Sequence, residues 1–231
     1  YDLIANIATE EYGHIELVSY AINMLLTGTT KRDPDPVTAP LEPAKDARNS
    51  YHFLAAGQAA LPMDSQGNWW NGSYVTCTGN LKADLLFNFN LECQARANKI
   101  RAYETVKDPC ARAMVGYLLV RGGVHIVAYA KALEKLTGVD VGKLLPIPDV
   151  SNKKFPEAKA HEDRGLHTKL YQFSPTDYTQ AGKIWNGPHP EDGKALQFEH
   201  LPKDVGAPVP DLEAEPQLNA PLDPDTMADL L

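Results

Sequence analysis

The chain has 231 residues, long enough for one large domain or two small ones. Its hydrophobic fraction of 43% and charged fraction of 23% are those of an ordinary globular protein. Lys and Arg number 22 against 30 Asp and Glu, a net charge of −8. That excludes a nucleic-acid binder working by bulk positive charge, which needs clustered basic residues to displace counterions. It also weighs against attachment to an anionic membrane surface. The longest strongly apolar run, residues 114–120, is bounded by Arg112 and Arg121. It is far short of the ~20 residues a bilayer-spanning helix needs, so no membrane partner is expected. Cys77, Cys93 and Cys110 are too few and too oddly numbered for a disulfide scaffold, and a reducing, cytoplasmic setting is the expectation.

In chain order, the first helical pattern covers residues 2–27 and is stopped by Gly28. Because the pattern is already running at Leu3, the natural N-terminus is expected to lie upstream of Tyr1. Residues 29–43 are polar, carry four prolines and read as loop; residues 44–60 suit a shorter helix. Residues 68–80 are rich in Trp, Asn, Gly and Thr, with a short strand expected at 74–76. A second long helix is predicted over 81–106, after the turn-like Thr78-Gly79-Asn80. The third opens at Asp108-Pro109, a capping residue followed by proline at the first helical position, and runs to Thr137 with Gly138 as its stop. From Pro146 onward lie 12 of the 18 prolines and short apolar patches without sustained period. The predicted architecture is all-α: a ferritin-like four-helix bundle with a long crossover in residues 1–145, and an extended, proline-rich C-terminal tail in residues 146–231, packed on the bundle or on a neighbouring subunit.

The chemistry interrupts the inner stripes of the helices. Alternating steps of three and four along the first helix give Ile4, Ile7, Glu11, His14, Val18, Ala21 and Leu25. A carboxylate and an imidazole thus share a face that should be buried. Glu10 is the competing carboxylate, set beside this stripe. The second helix gives Leu85, Glu92, Lys99 and Val106 at seven-residue steps, with Ala95 and Ala102 between them. The third gives Val115, Leu118, Gly122, His125, Tyr129, Ala132 and Leu136. An unpaired buried carboxylate costs several kcal/mol, and a divalent metal is an economical partner for it. Dinuclear carboxylate sites in bundles take a Glu from each of two helices and Glu-x-x-His from each of two others. Here Glu11 and His14 form one complete Glu-x-x-His, Glu92 is a lone Glu, and His125 has glycine where its acid would stand. Taken singly, each has a plainer explanation: a chance motif, a core histidine, or a structural Glu92–Lys99 charge pair. Their coincidence on three inner stripes is what points to metal. His52, His161, His167, His189 and His200 read as surface or tail residues.

Three stretches carry a resemblance to a known family. They are Ile7-Ala8-Thr9-Glu10-Glu11-Tyr12-Gly13-His14-Ile15-Glu16, Leu91-Glu92-Cys93-Gln94-Ala95-Arg96 through Lys99, and Gly116-Tyr117-Leu118-Leu119-Val120-Arg121-Gly122-Gly123-Val124-His125. With the tail phrases Tyr171-Gln172-Phe173-Ser174-Pro175 and Gly187-Pro188-His189-Pro190-Glu191-Asp192-Gly193, the chain resembles the manganese catalases, non-haem ferritin-like enzymes that decompose hydrogen peroxide. The resemblance implies two manganese ions per subunit. It implies Glu11 as the bridging carboxylate, His14 on one ion, Glu92 and His125 on the other, and Lys99 as a catalytic lysine near the pair. Gly122 matches the branch of the family that has this lysine. A further Glu ligand belongs to a family helix that would precede Tyr1. A homohexamer with tails wrapped around neighbours, and calcium at subunit contacts, are further implications. The alternatives are a di-iron ferroxidase or oxidase on the same bundle and a non-catalytic structural coat protein.

Overall fold

A computed structural model describes residues 1–28, 63–64, 66–141 and 150–200. The expectations for residues 29–43 and 44–60, and for the tail beyond residue 200, lie outside the described residues. Three long helices form the body: α1 (Asp2–Thr27), α2 (Leu81–Thr105) and α3 (Pro109–Thr137). A short helix, α4 (Pro156–Asp163), a two-stranded parallel sheet of β1 (Lys169–Tyr171) and β2 (Gln197–Glu199), and short 3-10 turns make up the rest of the regular structure among the described residues. The architecture is mostly helical, in keeping with the ferritin-like bundle expected.

The helix ends follow from their capping residues. The Asn80 side chain accepts hydrogen bonds from the amides of Lys82 and Ala83 to open α2. Asp108 does the same for Cys110 and Ala111 to open α3, with Pro109 in the first turn. Such caps are worth about 1 kcal/mol each. α1 and α3 close on Gly28 (φ 73°) and Gly138 (φ 72°), left-handed conformations that favour glycine. The strand expected at 74–76 does not form. The Asn71 side chain accepts from the Ser73 amide and tightens Gly72–Tyr74 into a 3-10 turn instead.

α3 is the central element, with every residue from Leu118 to Tyr129 buried. By length and composition alone it could cross a membrane, with a mean hydropathy of 1.4 over its best window, but 78% of that window is buried inside the protein. Arg121, Gly122 and Gly123 interrupt the apolar run of this helix without making the helix polar. Around α3 one core gathers Leu3 and Ile7 of α1, Leu85 and Phe89 of α2, and Val124, Val127, Tyr129 and Leu133 of α3.

The same core takes in Leu170, Ala181, Trp185 and Leu196. Residues 150–200 therefore fold back on the bundle of their own chain. β1 and β2 pair Leu170 with Phe198, and the buried Trp185 indole donates to the carbonyls of Thr168 and Gln197, both at 3.0 Å. On α1, the buried Asn6 donates to the Tyr171 carbonyl at 2.7 Å and accepts from the Phe173 amide at 2.9 Å. These bonds stitch the tail to the helix that carries the first pair of candidate ligands.

A second core of Tyr103, Val115, Leu119, Val120 and Ala158 joins α2, α3 and α4. At its edge Arg112 Nε donates to Glu157 Oε1 at 2.9 Å and the Tyr103 hydroxyl donates to Glu157 Oε2. The Arg112 guanidinium also lies 4.0 Å above the Tyr103 ring. The Arg112 hydrogen bond, with that of Tyr103, holds the Glu157 carboxyl down at about 2, against 4.5 when unperturbed. A depressed carboxyl adds stability that is fully present above about 4.5 and lost as pH falls through about 2. The side chain is 30% exposed, so solvent screening keeps the effect small. Glu157→Gln is therefore expected to destabilise modestly at pH 6, by an amount that shrinks steadily below pH 4. Urea unfolding of both proteins across this range measures it; a gap independent of pH would remove Glu157 from the acid response.

Candidate metal centre

The site is built where α1, α2 and α3 face one another. On α1 the buried positions are Leu3, Asn6, Ile7, Glu10, His14 and Asn23, so the inner stripe is rotated from the predicted one. Glu10 is 4% exposed, whereas the Glu11 side chain is 36% exposed. The sequence reading placed Glu10 beside the stripe; the structure corrects this. The cause is Arg121 on α3, itself fully buried, which must find an anion. Its Nε lies 2.5 Å from Glu10 Oε1 and its Nη2 lies 3.0 Å from Oε2, a two-pronged pair. Arg121 Nη1 donates to the carbonyls of Leu166 (3.0 Å) and Lys169 (2.7 Å), anchoring the tail.

Glu10 also orients His125. Burial pushes the Glu10 carboxyl up, but His125, His14 and Arg121 outweigh it and hold it well below the usual range. As an ionised acceptor it takes the Nε2–H of His125 at 3.0 Å, an assignment that follows from the network. That fixes the ring so that Nδ1 points the other way, at Glu11 Oε1 (2.7 Å) and Glu92 Oε1 (3.3 Å). His14 Nδ1 stands 3.2 Å from the same Glu11 oxygen, and the two imidazole rings stack with centroids 5.8 Å apart. Donor atoms of Glu11, Glu92 and His125 lie within 4.8 Å of one another.

These groups fit a metal. Glu11 Oε1, both nitrogens of His14, and His125 Nδ1 are buried and make no hydrogen bond. Buried polar atoms are nearly always satisfied. Oxygen and imidazole donors that converge without bonding one another form the kind of set that takes manganese or iron. Burial alone would push the Glu11 carboxyl up; the imidazoles of His125 and His14 overcome this and hold it down. Burial alone would lower His125, yet the facing carboxylates raise it well above its ordinary value. The cluster thus wants positive charge at its centre.

Lys99 reaches the same place from α2. A Cβ built on Gly122 would lie 2.9 Å from Lys99 Nζ and 3.9 Å from Glu92 Oε2. The absent side chain of Gly122 is the room the ammonium occupies. Glu11, His14, Glu92, His125 and Lys99 are thus brought together. The reading from sequence missed the roles of Glu10 and Arg121. The available signal was an arginine at the end of the apolar run 114–120, which demands a buried acid. His167 and His189 lie in the tail, as expected, but not at its surface: both are 5% exposed, because the tail folds over them.

The sequence profile for manganese containing catalase matches residues 1–230. The manganese catalase of Bacillus subtilis (strain 168) is 30% identical over 220 residues, covering 93% of this chain and 76% of the relative. That of Lactiplantibacillus plantarum is 29% identical over 229 residues, covering 94% and 77%. Protein CotJC of Bacillus subtilis (strain 168) is 25% identical over 134 residues, covering 58% and 66%.

Proposed function

The chain belongs to the manganese-containing catalases, and from that premise we propose that it disproportionates hydrogen peroxide to water and dioxygen at a pair of manganese ions. The observation that carries this reading is the set of buried Glu11, His14 and His125 donor atoms that no hydrogen bond satisfies. Glu11, His14, Glu92 and His125 would hold the ions. When bound, two adjacent metals that each change by one unit supply the two-electron capacity peroxide chemistry requires.

The chain's own residues do the rest. Glu10 keeps the Nε2 proton of His125 in place, leaving Nδ1 as the donor and fixing the ring against rotation. Arg121 neutralises Glu10 in a fully buried position, so the carboxylate stays ionised. Lys99 Nζ, in the gap at Gly122, holds and orients peroxide and carries a proton at the reacting oxygen. A cytoplasmic homohexamer is part of the same reading.

Metal analysis of the protein with its natural termini, together with oxygen evolution from peroxide, tests it. The expected result is two manganese ions per subunit and one dioxygen for every two peroxides. Iron with oxygen consumption would favour a di-iron oxidase or ferroxidase. A metal-free protein inert to peroxide would favour a non-catalytic role.

A further inference from the structure

The tail gathers a second set of ligating side chains that uses none of the residues above. His167 stands on the 3-10 turn Leu166–Thr168, and His189 and Asp192 stand on a turn closed by the Pro188–Ala195 bridge. His167 Nε2 lies 2.9 Å from Asp192 Oδ2, and His189 Nδ1 lies 3.5 Å from Asp192 Oδ1. The two imidazoles meet edge to face with centroids 5.0 Å apart. One donor atom from each of the three residues lies within 4.8 Å of the others. Donors bound tetrahedrally at about 2.0–2.1 Å from an ion stand roughly 3.3 Å apart. The two separations, one to each oxygen of Asp192, straddle that value.

The backbone holds these groups in advance of any ligand. The His189 amide donates to Lys194 O at 2.7 Å, the Gly193 amide to His189 O at 3.0 Å, and the Leu196 amide to Gly187 O at 2.9 Å. The turn under His167 is held from α3 by Arg121, through the carbonyls of Leu166 and Lys169. His167 presents Nε2 to Asp192, while Nδ1, the other ring nitrogen, is buried and makes no hydrogen bond. Burial and the neighbouring His167 push His189 below the ordinary imidazole range, which favours the neutral ring. Burial would raise the Asp192 carboxyl, but His167 and Lys194 hold it well down, so it is ionised.

We propose that His167, His189 and Asp192 form a binding site for a borderline divalent cation, zinc in character, that ties two turns of the tail together. Two imidazoles and a carboxylate are a donor set of that class, with a fourth position left for water. Four contacts occupy the donors: the tightest, between His167 Nε2 and Asp192 Oδ2 at 2.9 Å, is a hydrogen bond that the ion would replace, and the Lys194 amide donates to Asp192 Oδ1 at 3.1 Å. Lys194 Nζ sits 3.0 Å from Asp192 Oδ2, but its side chain is 60% exposed and can withdraw into solvent. The Glu191 amide approaches His189 Nδ1 at 3.3 Å, near the long limit of hydrogen bonding. The ion would join the turn at Leu166–Thr168 to the turn closed by the Pro188–Ala195 bridge, and its binding free energy would add to that of folding.

The test starts from the manganese-loaded protein with its natural termini. It is titrated with Zn(II) by calorimetry, and with Co(II), whose visible bands report tetrahedral coordination. The expectation is one equivalent per subunit beyond the manganese complement, lost in Asp192→Asn and in His189→Gln. Glu92→Gln should retain it, which separates this site from the centre between α1, α2 and α3. Lys194→Ala, which removes the competing cation, should tighten binding several-fold, and circular dichroism shows whether each variant is folded. If His189→Gln fails to fold, Asp192→Asn and Lys194→Ala decide. An absent extra equivalent, or one that survives Asp192→Asn, overturns the site and leaves the three side chains as a hydrogen-bonded clasp.

Discussion

Arg121→Met is expected to lower the free energy of unfolding by about 3–5 kcal/mol, the usual cost of removing one partner from a buried ion pair. The arginine is fully buried and binds both oxygens of Glu10. Methionine fills much of the volume but leaves the Glu10 carboxylate facing only imidazoles. It also orphans the carbonyls of Leu166 and Lys169, so the tail loosens with it. The decisive comparison is the double variant Arg121→Met with Glu10→Gln, which removes both charges while an amide oxygen still accepts from His125. It should recover a large part of the loss in urea unfolding, a coupling of at least about 1 kcal/mol. Strict additivity, or a single-variant loss within 0.5 kcal/mol, the range of ordinary surface changes, would show that the pair is not what holds this centre. Glu10→Gln alone should weaken manganese binding about 10–100-fold by loosening the ring of His125.

How much could be read from the sequence depended on how each segment is buried. The ends of α2 and α3 were legible because Asn80, and Asp108 with Pro109, cap them by local bonds. The stripe on α3 was legible because that helix is buried on nearly all sides, so any face chosen there is a buried one, that of His125 and Gly122 included. α1 is covered on one side, and there a shift of one residue turns the helix by about 100°. Leu3-Ile7-Glu10-His14 and Ile4-Ile7-Glu11-His14 fit an apolar stripe almost equally well. Only Arg121, which is remote in sequence, decides that Glu10 goes deepest. The tail was opaque for a different reason. Its two strands have three residues each and α4 has eight, too short for periodicity to appear. The burial of His167 and His189 comes from chain reversal, which no local pattern encodes.

Lys99→Ala is expected to cut oxygen evolution about 10²–10⁴-fold, the contribution typical of a positioned proton-transfer group, while manganese content stays unchanged. Glu92 and Lys99 are seven residues apart, about 10 Å along the helix axis. Yet both side chains end beside the point where a Gly122 side chain would begin. Glycine there therefore has a chemical consequence: it places a cation, rather than a second acid, next to the donors of Glu92 and His125. Gly122→Ala probes the same arrangement from the other side. Its Cβ would meet the far end of a flexible lysine, so the ammonium would be displaced rather than the helices separated. Turnover should fall, by less than in Lys99→Ala, with stability nearly unchanged. The two substitutions act on one group, so their combination should be no worse than Lys99→Ala alone. If Lys99→Ala turned over normally, the lysine would be a space-filling cation with no part in the reaction. If it lost manganese instead, its role would lie in assembling the cluster.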